Sequence, residues 1–149
     1  MTYKIPISVL VLVYTPDMQV LLLERADHPG FWQSITGSQE LGETLEQTAI
    51  RELEEETGLD ARQYRLDNWQ MSNEFEIYKH WRGRYAPGIT HNTEHLFGLR
   101  VPEPVPVRVA PREHLGFEWV SRDHAIDKVF SWTNAAALRA LPEFVSRAN

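Results

Sequence analysis

The sequence predicts an α+β (α/β) protein in which helices cover the faces of a mixed β-sheet. Three observations predict it. Residues 5–14 are β-branched and almost continuously apolar, the pattern of a central strand covered on both sides. Residues 44–57 form an amphipathic helix with start and stop signals at its ends. Residues 131–148 return to helical periodicity at the end of the chain.

Pro16 and Asp17 turn the chain after the first strand, and residues 20–25 predict a second apolar strand antiparallel to it. Residues 27–30 are a loop, followed by the aromatic pair Phe31–Trp32. Residues 37–43 contain two glycines and read as a loop. Thr44 then opens the helix, with Gln47 three residues on as the second half of a capping box. Gly58 is a left-handed terminator. Residues 65–95 carry strand-like aromatic stretches, including 75–85, broken at Ala86–Pro87–Gly88. Residues 95–101 and 117–120 predict two more strands. Between them Pro102, Pro104, Pro106 and Pro111 lack a backbone donor, so residues 101–111 are a connection or a sheet edge. Ser131 or Thr133 lies near the cap of the last helix, and Pro142 predicts a kink or break in it. No repeat or boundary divides residues 1–149, which read as a single domain.

A chain of 149 residues can bury roughly 68–70% of its unfolded surface, so it needs no staple to fold. It has no cysteine, which excludes thiol catalysis, cysteine-bound zinc, iron–sulfur clusters and disulfides. No apolar run approaches the ~20 residues that span a bilayer, and residues 5–14 lack the flanks of a signal peptide. These features predict a cytoplasmic protein with no membrane partner. The net charge of −6 lies in one segment: residues 37–59 hold seven glutamates and one arginine, and the remainder sums to zero. A surface of that sign predicts no nucleic-acid partner.

On a helical wheel Leu45, Ala49, Ile50, Leu53 and Thr57 share the core-facing side. Glu52 and Glu56 lie at its rim, Glu55 just outside it, and Glu54 points to solvent. Like charges at these spacings repel, and partial burial compounds the cost. A bound cation relieves both. Hard glutamate oxygens, with no cysteine or helical histidine beside them, suit Mg²⁺ or Mn²⁺ rather than zinc. Arg51, one turn before Glu55, is placed to orient a carboxylate.

The segment 37–59 reads Gly37, five residues, Glu43, seven residues, then Arg51-Glu52-Leu53-Glu54-Glu55-Glu56-Thr57-Gly58-Leu59. It resembles the Nudix box at every defined position. The resemblance implies the Nudix fold, a mixed sheet sandwiched between helices, and Mg²⁺-dependent hydrolysis of a diphosphate linkage. It implies that Glu52, Glu55 and Glu56 bind the metal, that the carbonyl beside Gly37 adds a ligand, and that Arg51 holds Glu43 and braces the loop. Glycine at position 37 would permit close backbone approach to metal and phosphate.

A wider match joins YKIPISVLV, HPGFWQSITGSQELGET, FEIYKHWRGRYAPGITHNTEH, EHLGFEW and SWTN. These segments resemble the bacterial dihydroneopterin triphosphate pyrophosphatases. That resemblance implies cleavage of 7,8-dihydroneopterin triphosphate to the monophosphate and pyrophosphate. It places Lys4, Arg25, Thr36 and Ser131 at the substrate and Glu113 as a further metal ligand, with Glu94 and Glu118 as competing carboxylates. Either Glu52 or Glu113 would take the proton of the attacking water. Phe31, Trp32, Trp81 and Tyr85 are candidates for the wall of a pterin slot, and the six histidines read as structural or surface. Another Nudix hydrolase, acting on nucleoside triphosphates or other nucleoside polyphosphates, shares the box and differs only in the pocket. A non-catalytic Nudix-fold sensor would be expected to lack box carboxylates.

Overall fold

The computed structural model describes residues 2–148; the first and last positions of the expected 1–149 domain lie outside the described residues. Among them seven strands form one mixed sheet: β1 (Ile7–Tyr14), β2 (Gln19–Arg25), β3 (Trp32–Gln33), β4 (Ile35–Ser38), β5 (Arg65–Glu76), β6 (His91–Arg100) and β7 (His114–Ser121). The helices are α1 (Leu45–Thr57), α2 (Arg122–Lys128) and α3 (Trp132–Ala148).

β1 is central because its side chains are apolar on both faces. Val9, Val11 and Val13 pack toward α1, against Ala49 and Leu53. Leu10, Leu12 and Tyr14 pack toward α3, against Leu138, Leu141 and Phe144. Each such side chain contributes about 1.5–3 kcal/mol on burial. β6 runs parallel to β1 along its whole length, from Ile7↔Thr93 to Tyr14↔Arg100. Gly98 of β6 leaves room for the Trp69 indole, which an added Cβ would meet at 2.7 Å. That indole in turn stacks on Phe144 at 4.1 Å.

The expected antiparallel pairing of the first two strands survives at one position, Tyr14↔Val20. Beyond it β1 and β2 splay, and residues 32–38 run through the opening. β3 pairs with β2 at Leu23↔Gln33, and β4 then pairs with β1 from Val11↔Ile35 to Ser8↔Ser38. The other edge of β2 is taken by β7. Gly37 and Ser38, expected in a loop, are therefore the end of a strand. Pairing with β1 overrides the glycine signal there.

Helix α1 forms as expected. The Thr44 and Gln47 side chains cap each other's backbone amides, and Gly58 ends the helix with φ 77°. Residues 75–85 differ from the expectation of a strand. β5 stops at Glu76, and residues 79–84 wind into a 3-10 turn held by Arg82, which donates to the Ile77 carbonyl and to Glu76. Pro142 does not break α3, because packing of Leu138, Leu141, Phe144 and Val145 holds both halves against the sheet. The proline-rich residues 101–111 are a connection, as expected. Val105, Val107 and Val109 strap it over the core beneath α1, and the Arg108 amide donates to the Thr57 carbonyl. No described helix is long and apolar enough to cross a membrane.

Candidate active site

The segment 37–59 folds around Arg51. Its Nε and Nη2 donate to the two oxygens of Glu43 at 2.6 and 3.0 Å, its Nη1 donates to Glu52 at 2.7 Å and Glu55 at 3.3 Å, and Nη2 also donates to the Ser38 carbonyl. One guanidinium thus ties the loop, the end of β4 and helix α1 together. The Glu43 carboxyl, held by Arg51 and by the Glu40 amide and Thr48 hydroxyl, is drawn down to about 2.

Glu52 is 9% exposed and lies over Gly37, whose added Cβ would come within 2.0 Å of the Glu52 carboxyl carbon. The close approach at Gly37 is made by the Glu52 side chain itself. Glu56 is 1% exposed, and neither of its oxygens has a hydrogen-bond partner among the described residues. Burial, then the neighbouring charges of Glu52 and Glu113, push its carboxyl well up from the ordinary value. Glu55 stays half-exposed beside Arg51 and does not join the buried pair. Among the described residues no three acidic or histidine side chains are already drawn together tightly enough to hold an ion.

Glu113 lies on the exposed turn before β7, with its backbone carbonyl accepting from the Ala26 amide. Its charge acts on Glu55, Glu56 and Lys4. The competing carboxylates are elsewhere: Glu118 pairs with Lys128 at 3.1 Å, and Glu94 lies across the sheet. The next residue, His114, is a buried histidine beside the glutamates of α1. It is buried with Nε2 3.6 Å from Glu56, and burial followed by the Arg25 charge lowers it to about 4, so it stands there neutral. No spacing in the sequence pairs residues 56 and 114; the packing of α1 beside the start of β7 does.

Residues paired across a sheet share a face. Ser8, Leu10, Thr36, Ser38 and Glu94 therefore lie on the α3 side, while Gly37 presents its other side to Glu52 and α1. On the α3 side a cavity of about 180 Å³ opens between the sheet, the 3-10 turn and the start of α3. Lys4, Arg25, Thr36 and Ser131 all line it, as do Trp81 and Tyr85. Phe31 and Trp32 do not; Phe31 instead backs the wall by stacking on Phe130 at 4.5 Å. Arg25 is clamped by both oxygens of Asp27 and lies 4.4 Å from the Trp81 ring centroid. Asp27 also accepts from Arg84, and these two guanidiniums hold its carboxyl far below the usual range. Thr36 donates its hydroxyl to the Val9 carbonyl, and Ser131 shares a hydrogen bond with Thr133.

Sequence reasoning missed the cavity floor. Asn92 and Glu94 of β6, Asn134 of α3 and Phe130 line it. Asn134 accepts from the Ser34 amide at 2.8 Å and donates to its hydroxyl at 3.0 Å. The signal for Asn92 and Glu94 was their alternation in residues 91–100, which places two polar side chains on the buried side of a strand.

The NUDIX domain model matches residues 4–141. The chain is 45% identical over 139 residues to the dihydroneopterin triphosphate diphosphatase of Escherichia coli K12, covering 91% of each chain. It is 48% identical over 143 residues to the protein of that name from Haemophilus influenzae, covering 93% of this chain and 89% of that one. The solved structure of the E. coli dihydroneopterin triphosphate pyrophosphohydrolase superposes with a TM-score of 0.88 at 43% identity, covering 99% of both chains.

Proposed function

This chain belongs to the Nudix family, and from that membership we propose that it is a pyrophosphohydrolase that cleaves 7,8-dihydroneopterin triphosphate to dihydroneopterin monophosphate and pyrophosphate. The observation that carries the reading is the position of β4. Gly37 belongs at once to the cavity lining and to the ground beneath Glu52 of α1, and Thr36 next to it faces the cavity. A flat ring in the cavity would lead its phosphate tail over this strand to the carboxylates. The 45–48% identity to diphosphatases acting on that substrate supports the same choice.

Nudix hydrolases generally need a divalent metal. The residues present fit one: the two oxygens of buried Glu56 are orphaned, and the adjacent Glu52 carboxylate, held by Arg51, is a second hard donor beside them. We assign the metal to Glu52 and Glu56, with Glu55 and Glu113 completing the set, and the ion to Mg²⁺, for which Mn²⁺ can substitute. Such an ion supplies charge neutralisation at the phosphates and acidifies the attacking water. The chain's own groups do the rest. Lys4, Arg25 and Arg84 present cationic donors to the phosphate tail. Arg51 fixes the Glu52 carboxylate in place. Glu52 or Glu113 receives the proton of the water as its oxygen attacks phosphorus and the phosphoanhydride bond breaks. Thr36 and Ser131 orient the substrate from the cavity wall. The substrate is a small water-soluble polyanion, which suits an enzyme of the cytoplasm. The box carboxylates are all present, which favours catalysis over ligand sensing.

Pyrophosphate release measured with dihydroneopterin triphosphate beside the four dNTPs tests the proposal. The expected result is a clear preference for the pterin, abolished by excess chelator. A preference for a dNTP overturns the substrate, and full activity in chelator overturns the metal.

A further inference from the structure

Resting on the substrate proposed above, we propose that Glu94, with Asn92 beside it, is the specificity-determining group that reads the edge of the pterin ring carrying the 2-amino group and N3–H. Glu94 is 5% exposed and Asn92 2% exposed, and both line the cavity. Glu94 Oε1 and Asn92 Oδ1 have no hydrogen-bond partner among the described residues. Such atoms carry a full desolvation cost and call for donors.

The remainder of each side chain is held in place. Asn92 Nδ2 donates to the Ser8 hydroxyl at 2.7 Å, and the Thr133 hydroxyl hydrogen-bonds the Glu94 carboxyl. The free acceptors are thus positioned rather than mobile, and they sit at the floor of a cavity walled by Phe130 and Trp81. Lys4 and Arg25 line the same cavity and, with Thr36 and Gly37, serve the phosphate end. Glu94 is not needed there: it stands on the α3 face of the sheet, whereas Glu52 and Glu56 belong to α1 on the other.

A carboxylate offers two acceptor oxygens side by side, which match two parallel N–H donors. The 2-amino-4-oxo edge of a pterin presents such a pair, and guanine presents the same pair. Adenine offers one N–H donor beside a ring acceptor, and thymine flanks its single N–H with two carbonyls. Either would point a lone pair at the Glu94 carboxylate. Burial raises the Glu94 carboxyl to about 7, and two N–H donors facing it favour the ionised, all-acceptor form. The site therefore selects for the two-donor edge and against the other bases by leaving buried groups unpaired.

The test is the ratio of kcat/KM for dihydroneopterin triphosphate to that for dATP, with dGTP as third substrate, in the wild type, Glu94→Gln and Asn92→Ala. Glutamine keeps the size but turns an N–H toward the ring's own donors. The ratio is expected to fall by roughly a hundredfold in Glu94→Gln, and the dGTP-to-dATP ratio to fall with it. In Asn92→Ala a fall of about tenfold is expected, a variant that also serves if Glu94→Gln fails to fold. A wild-type preference for the pterin that persists undiminished in a folded variant overturns the role of Glu94 and leaves the substrate standing. A wild type that handles dATP as well as the pterin overturns the substrate itself, and the inference with it.

Discussion

The carboxyl carbon of Glu52 occupies the space in which a side chain on Gly37 would begin, 2.0 Å from where its Cβ would be. Strand β4 and helix α1 approach most closely here, and the proposed metal set is assembled on this contact. Gly37→Ala leaves the backbone unstrained but must push the Glu52 carboxyl aside. Mn²⁺ binding followed by electron paramagnetic resonance should weaken, and kcat/KM should fall on the order of a hundredfold, since small displacements of reacting groups cost that much. The melting temperature should change little; wild-type metal affinity in the variant would contradict the assignment.

Glu56→Gln separates catalysis from folding. The buried carboxyl favours its neutral form in the folded chain, whereas in the unfolded chain it ionises near 4.5. Metal-free stability contributed by this group is therefore lost as pH rises above that value. Glutamine, neutral throughout, should match or raise the melting temperature measured in chelator at neutral pH. Pyrophosphate release should drop by roughly 10²–10³-fold. A variant that turns over normally would remove Glu56 from the proposed machinery.

Arg51→Lys keeps the charge and loses the fork. A single ammonium cannot serve Glu43, Glu52 and the Ser38 carbonyl together. Urea unfolding should show a loss of about 1–3 kcal/mol, accompanied by lower turnover. If both were unaltered, Arg51 would be an ordinary surface ion pair.

Glu43 dictates behaviour in acid. Its carboxyl is at about 2 when folded and 4.5 when free. The pairing with Arg51 therefore stabilises fully above 4.5, and that contribution fades as pH falls toward 2. Glu43→Gln should flatten the acid limb of a stability–pH curve; an unchanged limb would count against the pairing.

Glu94 acts in the opposite direction. Its carboxyl is at about 7 when folded and 4.5 when free. Without ligand, stability should decline by about 3 kcal/mol as pH rises from 4.5 to 7. Chemical denaturation across that range should show the slope reduced in Glu94→Gln.

Helix α1 was readable from residue spacing because its determinants are local. Thr44, Gln47 and Gly58 act within a few residues of themselves, and wheel positions sort Glu52 and Glu56 from Glu54 without reference to the remainder of the chain. The two-faced burial of β1 was likewise contained in its alternating apolar side chains. The candidate residues Lys4, Arg25, Thr36 and Ser131 came from resemblance, and they line a single cavity. The wall residues Trp81 and Tyr85 line it too, whereas the equally aromatic Phe31 and Trp32 do not.

The sequence by itself determined which residues are acidic, apolar or helix-ending, and hence one capped helix with carboxylates along its rim. Only the tertiary structure decided that β1 and β2 splay, that residues 32–38 fill the gap, and that Glu56 meets His114. It likewise set Glu94 and Asn92 with free oxygens on a cavity floor. The reason is physical. Helical spacing is a property of neighbours in the chain, whereas strand pairing joins residues tens of positions apart, and burial of a carboxyl depends on what that pairing brings over it.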